Sequence, residues 1–285
     1  MPSIPETSIG SKFEWSKLPN EMKQMCTAKV DSWATRCLLR TVDYLTKEVV
    51  DLDKMNIYRL SLDFEMRQFD VRGFAAGTYQ TKQGQLDAGL TESIKYIFKN
   101  SRIEDAWFSH VPEDFAETYL TGSVIKAKSV NLINSSNKCF QDILQSVDKN
   151  MIQSLYVDPG YGNEMDYTIL SSPKYTGIKT YSIKTTNCWE TVFLIATKFI
   201  ASDDDVGCVL YLDCEHGEDV AEQFEDEFRA KLIEKSEKEP VDHYHGYCRI
   251  RTENPAKHLF LSFVHSFSEN ISLKVVPAAI PSVLL

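Results

Sequence analysis

Ile152-Gln153-Ser154-Leu155-Tyr156-Val157 and Ile178-Lys179-Thr180-Tyr181-Ser182-Ile183 share one pattern, a short β-like run with apolar side chains at its first, fourth and sixth places. Working outward from this pair, similar runs begin near Val206, Ala127 and Ile103, at intervals of roughly 24 to 28 residues, within the range of known repeat periods. Each follows a helical-looking piece, at residues 93–99, 114–121, 138–147, 165–171 and 189–200. A helix-then-strand unit of this size cannot bury its apolar face alone, and stacking it on its neighbours gives a curved parallel sheet.

The spacing resembles leucine-rich repeats (LRRs). Of the consensus Leu-x-x-Leu-x-Leu-x-x-Asn, the runs Ile152-x-x-Leu155-x-Val157 and Ile178-x-x-Tyr181-x-Ile183 keep the apolar positions and lose the Asn. The other reading is an ordinary α/β domain with evenly spaced strands. Before the repeats lie a candidate strand over 57–64 and a loop dotted with Gly73, Gly77, Gly84 and Gly89. After them, Val220, Phe224, Phe228 and Leu232 recur every fourth residue, which predicts an amphipathic helix over 218–237. Runs 247–252, 259–264 and 271–276 then predict an antiparallel meander that closes the open end of the repeats, with a frayed tail after Pro277.

Hydrophobic residues make up 43% and charged residues 25%, enough apolar material for a continuous core, and 285 residues suit a small module plus one larger domain. A net charge of −10 argues against nucleic acid as a partner, since duplex binding relies on clustered cations. The first residues lack the pattern of a signal peptide, and no run approaches the ~20 apolar residues of a membrane span. Seven scattered cysteines read as reduced core thiols, so the expected location is cytoplasmic or nuclear.

Residues 13–52 predict three short helices. Pro19 is placed to open the first, whose residues Met22, Met25, Cys26 and Val30 fall on one face; Asp31 can cap a second carrying Trp33, Cys37 and Leu38; Tyr44, Leu45, Val49 and Val50 suit a third. So small a bundle buries little apolar surface and needs a partner. The run Leu18-Pro19-x-Glu21-Met22, then Val30-Asp31, Arg36-x-x-Leu39-Arg40-x-Val42 and Val49-Val50-Asp51, resembles the F-box, most closely the divergent type expanded in nematodes. Met25-Cys26 stands where Ile-Leu is commoner in that family, and its Trp near the third helix is absent. The resemblance implies that Leu18, Pro19, Met22, Met25, Val30, Leu39 and Val42, with Glu21 as the acidic residue, meet the Skp-type linker of a cullin–RING (SCF) ubiquitin ligase.

The expected organisation is therefore an F-box at 13–52, a connecting segment at 53–100 and an LRR-like α/β substrate-recognition domain at 101–285. Trp107, Tyr156, Tyr181 and Tyr211, one per predicted strand, could line a binding face or belong to the core, and Tyr161 in the Asp158-Pro159-Gly160-Tyr161-Gly162-Asn163 turn could touch a protein substrate. Cys214-x-His216 with His243-x-His245-x-x-Cys248 is the best zinc-type set, but its spacing fits no zinc pattern, and buried thiols and loop histidines are the simpler reading. Cys139 and Cys188 sit at predicted helix starts, and Asp203-Asp204-Asp205 reads as a solvated turn. No catalytic residue, metal or cofactor is expected. The reading is a ubiquitin-ligase adaptor, against an LRR-like interaction module without a ubiquitin link or a zinc or thiol enzyme.

Overall fold

The computed structural model describes residues 17–19, 22, 23, 25, 26, 55–75, 78–86, 88–160, 163, 165–214, 219–238, 244–265 and 269–281. The chain divides into two compact units, one of residues 1–55 with 74–80 and a second of residues 56–73 with 81–285. In the first, Met22, Lys23, Met25 and Cys26 are helical, and the Lys23 amide donates to the Pro19 carbonyl, so a turn opens at Pro19 as its fixed φ favours. Met22 and Met25 are 50% and 66% exposed, and Lys23 is buried. The second and third predicted helices, with Val30, Leu39 and Val42, lie outside the described residues, as does Glu21.

The described elements run β1 (Met55–Asp63), β2 (Gln68–Ala75), β3 (Thr78–Gln85), α1 (Ala88–Asn100), β4 (Ser101–Ser109), α2 (Phe115–Tyr119), β5 (Ala127–Ile133), α3 (Asn137–Ser146), β6 (Ser154–Asp158), a 3-10 turn (Tyr167–Ser171), β7 (Thr180–Thr185), α4 (Cys188–Ala201), β8 (Val209–Cys214), α5 (Val220–Glu227), β9 (Leu232–Lys238), β10 (Tyr244–Arg251), β11 (Lys257–His265) and β12 (Glu269–Pro277). The class is mixed α/β. The strands form one twelve-stranded sheet in the order β3-β2-β1-β4-β5-β6-β7-β8-β12-β11-β10-β9. Strands β4 to β8 are parallel and follow one another in chain order, while β12, β11, β10 and β9 extend the sheet antiparallel from β8.

Register puts apolar side chains in two rows on one face. Ala106, Val130, Leu155, Tyr181, Leu210 and Leu273 pair across successive strands, as do Phe108, Leu132, Val157, Ile183, Leu212 and Ile271, and all are buried. Right-handed crossovers between neighbouring parallel strands place the intervening helices on this same face. Phe108 accordingly meets Phe98 of α1 and Phe115 of α2, Tyr181 meets Phe199 of α4, and Phe140 of α3 packs on Tyr167 of the 3-10 turn. Each buried side chain of this size contributes about 1.5–3 kcal/mol. The second row ends at Gly246, opposite Phe263, whose ring lies where a Cβ on Gly246 would stand.

Several expectations need correction. Of the glycine-dotted stretch, Gly73 lies in β2 and Gly84 in β3 beneath the Phe69 ring, Gly89 lies in α1, and Gly77 is outside the described residues. The long amphipathic helix stops at Glu227, and Leu232–Lys238 forms β9, because Leu232 is taken up by the β10 ladder opposite Ile250. Its charges Glu234 and Lys235 suit an edge strand. The predicted meander is present at β10 to β12. The tail after Pro277 is held: Arg249, only 4% exposed, donates to the carbonyls of Pro277, Ala278 and Ile280 and to Nδ1 of His258. His258 accepts because burial, with Arg249 and Arg251 nearby, keeps its pKa below the ordinary value. Cys188 and Cys214 are joined as a disulfide between the start of α4 and the end of β8, so these two are not the reduced thiols expected.

The Asp203–Asp205 turn is also more than solvated. Asp204 is 7% exposed, and its burial raises its carboxyl pKa; Lys198, 6% exposed, is lowered to about 8 by burial, with Asp204 pulling the other way. Lys198 donates to the Tyr175 carbonyl at 2.8 Å and contacts the Tyr181 hydroxyl, while Lys257 donates to the carbonyls of Asp203 and Asp204. Replacing Lys198 by Met should lower stability by about 1–2 kcal/mol at pH 7, because Asp204 loses one of the two cations, Lys198 and Lys257, that offset its burial. A carboxyl whose folded pKa lies above the unfolded value destabilises as pH rises through it, so the deficit should shrink as pH falls toward 5. Urea unfolding of both proteins across this range measures it.

Candidate protein-interaction face

On the opposite face of the sheet, which carries none of the helices α1 to α5, the same registers line up a different row. Trp107, Asn131, Tyr156, Ser182, Tyr211, Ser272, Ser262 and Tyr247 are successive cross-strand partners from β4 to β10. Large aromatic anchors alternate with small hydroxyl and amide groups, the chemistry of surfaces that bind proteins: rigid rings supply contact area, and Ser and Asn supply adaptable hydrogen bonds.

One carboxylate sets the geometry of the row's β4 end. Asp105 Oδ2 accepts from Trp107 Nε1 at 2.6 Å and from Arg59 Nε at 3.0 Å, and Oδ1 accepts from Asn131 Nδ2 at 2.7 Å. Arg59 also pairs with Asp105 through Nη2 at 2.9 Å, and its guanidinium carbon lies 5.0 Å from the Trp107 ring centroid. The indole is thus held at Nε1 by Asp105 and over one face by Arg59, and its ring lies 6.4 Å from that of Tyr156 between centroids. Asn131, 7% exposed, is the floor between the two rings. Tyr211 stands free at 47% exposure, and at the far end Tyr247 stacks on Phe260 at 5.3 Å while Ser262 and Ser272 share a 2.8 Å hydrogen bond.

The Tyr156 phenol is held above its ordinary pKa by burial first, then by Asp158 and by Asp213, so it stays a hydrogen-bond donor. Asp158 Oδ1 accepts from the Gly160 amide, in the left-handed turn that Gly160 closes. Asp213 is exposed on the adjoining part of the face.

Of the residues expected to bind substrate, the structure brings Trp107, Tyr156 and Tyr211 together on this face. Tyr181 is a correction: it is fully buried in the helix-side row, with its hydroxyl donating to Tyr175 O. Tyr161 lies outside the described residues. Sequence reasoning missed Arg59, Asp105, Asn131, Ser182 and Tyr247; aligning the runs residue by residue would have exposed the polar positions that share a phase with Trp107 and Tyr156. On the helix side a cavity of about 420 Å³ opens among Asn137, Asp166, Tyr167, Asn187, Glu190 and Leu194. There Thr168 lowers the Asp166 pKa through its hydroxyl and then its amide, and Tyr167 donates to the Lys184 carbonyl.

The zinc-type set is not assembled among the described residues, since Cys214 is tied to Cys188 and His216 and His243 lie outside them. No group of three His, Cys, Asp or Glu residues able to hold a metal occurs among the described residues. Cys139 is buried, with Sγ against the carbonyls of Val111 and Pro112. No described helix is long and apolar enough to cross a membrane.

No family model matches this chain, and no curated protein does. Among solved structures it is similar to the CcbJ methyltransferase from Streptomyces caelestis (9% identity, 64% of this chain and 68% of that one, TM-score 0.16). It is also similar to an S-adenosylmethionine-dependent methyltransferase from Clostridium acetobutylicum (8% identity, 68% and 63%, TM-score 0.14). Likenesses at these TM-scores carry no argument about function.

The Asp105 hub is open to a direct test. A double-mutant cycle between Arg59→Ala and Asp105→Ala should give a coupling of about 1 kcal/mol, a value reduced for solvent screening because both side chains are partly exposed. Coupling near zero in urea denaturation would mean that the pair does not hold the indole.

Proposed function

We propose that this chain is a substrate-recognition adaptor of an SCF-type cullin–RING ubiquitin ligase, with an F-box at residues 13–52 that docks on a Skp-type linker and an LRR-like domain that holds a protein substrate. The single observation that carries the substrate half is the aromatic and hydroxyl row on the face of the sheet opposite helices α1 to α5. The LRR-like reading draws support from five parallel strands in chain order, starting at Ser101, Ala127, Ser154, Thr180 and Val209, each preceded by a helix or turn on the same face. The F-box half draws support from the turn opened at Pro19 and from Met22 and Met25, whose exposure is what a linker-contacting apolar pair requires.

Its mechanism is proximity. Holding a substrate lysine beside the ubiquitin-loaded enzyme raises its effective concentration, with no bond made or broken by this chain. Trp107, Tyr156 and Tyr211 contact the substrate, and Leu18, Pro19, Met22 and Met25 contact the linker.

Co-purification with a Skp-type subunit tests the ligase half. The Leu18→Ala/Pro19→Ala double variant should retain less than about a tenth of the wild-type linker, since losing two buried interface contacts costs more than 1.4 kcal/mol, and Tyr211→Leu should retain all of it. Undiminished capture by the double variant would leave an interaction module with no ubiquitin link.

A further inference from the structure

Among the described residues the open face contains one motif three times. Asp105 and Trp107, Tyr156 and Asp158, and Tyr211 and Asp213 are each an aromatic and a carboxylate two residues apart on one strand, which puts both on the same side of the pleat. The first copy is filled by the chain itself: the Arg59 guanidinium pairs with Asp105 and covers Trp107. The second and third copies flank β7, where the intervening cross-strand residue is Ser182. Two strand spacings separate Tyr156 from Tyr211, roughly 9.6 Å, and the serine between them leaves a slot with phenol walls and a small polar floor.

At one end of this slot stand Asp158 and Asp213, with Lys184 between them on β7, in register with Asp213. Lys184 is exposed and pairs with neither carboxylate among the described residues, so two negative charges face one positive. A planar cation suits such a place better than an ammonium ion, because it can stack on a ring and fork its donors onto carboxylates at once.

We propose that the slot between Tyr156 and Tyr211 takes an arginine side chain from the protein segment bound to this face, reproducing between two chains the contact that Arg59 makes within one. The guanidinium lies against the two phenols and reaches Asp158 and Asp213, and Ser182 leaves the room for it. The inference rests on this face being a protein-binding surface and is independent of the ubiquitin link.

The test uses the full chain and fluorescein-labelled peptides Gly-Ser-Arg-Ser-Arg-Ser-Gly, with citrulline, lysine or glutamate in place of arginine, read by anisotropy. Arginine should bind about tenfold more tightly than neutral citrulline and several-fold more tightly than lysine. Asp158→Asn/Asp213→Asn and Tyr211→Leu should each weaken the arginine peptide about tenfold, and Lys184→Gln should tighten it. Glu222→Gln, an exposed carboxylate on α5, is the control that should change nothing. Circular dichroism confirms the fold of Tyr211→Leu, whose ring is half exposed. Equal binding of lysine and arginine, with the double Asn variant no weaker than Glu222→Gln, would overturn the proposal in favour of general attraction to an acidic protein. Binding of neutral cellohexaose that depends on Tyr211 and not on the carboxylates would overturn it in favour of a saccharide platform. If the peptides fail while linker capture still depends on Leu18 and Pro19, the arginine slot alone is lost.

Discussion

Strands β4 to β8 hydrogen-bond in a register that never slips, and nearly every other property of the larger unit follows from that alignment. Because side chains alternate along a strand, fixed register turns five short segments into rows: Ala106 to Leu210 toward the helices, Trp107 to Tyr211 away from them. A shift of one residue in β7 alone would put Ser182 into the core and Tyr181 into the slot. The apolar rows and the helices packed on them hold the register; the polar row inherits it. The binding face therefore gains its order from burial that takes place on the other side of the sheet.

Electrostatics fastens the places that hydrophobic packing leaves loose. Asp105 gathers Arg59, Trp107 and Asn131 from three strands. Lys198 stands over Tyr181 within reach of Asp204, and Lys257 ties the same turn to the start of β11, so the end of the parallel set is joined to the antiparallel extension through charged groups. Burial raises the Asp204 pKa and lowers that of Lys198, which shows that desolvation outweighs the mutual attraction on both sides of this contact.

Much of the fold was legible because its signal is local. The helix-then-strand alternation, the closing meander and the five parallel strands could be read from apolar spacing, the runs at Ile152, Ile178 and Val206 being shifted to begin at Ser154, Thr180 and Val209. The segment 232–238 was not, because Leu232 satisfies a four-residue helical period as well as a strand, and only the free edge of β10 decides between them. Tyr181 was a question of phase. It occupies the repeat place that Leu155 occupies, fourth in its run, whereas Tyr156 is fifth; the two tyrosines therefore face opposite sides although both sit in strands. Asp105 and Arg59 are 46 residues apart, and no pattern within either segment reveals a pairing made through the sheet.

Arg249 sets the limit of the domain by charge. Its guanidinium is almost wholly buried, and the three carbonyls that help satisfy it come from Pro277, the last residue of β12, and from Ala278 and Ile280 beyond it. Truncation after Pro277, which spares every strand residue, would still take the carbonyls of Ala278 and Ile280 away from a cation in the interior, so the minimal foldable fragment is longer than its secondary structure.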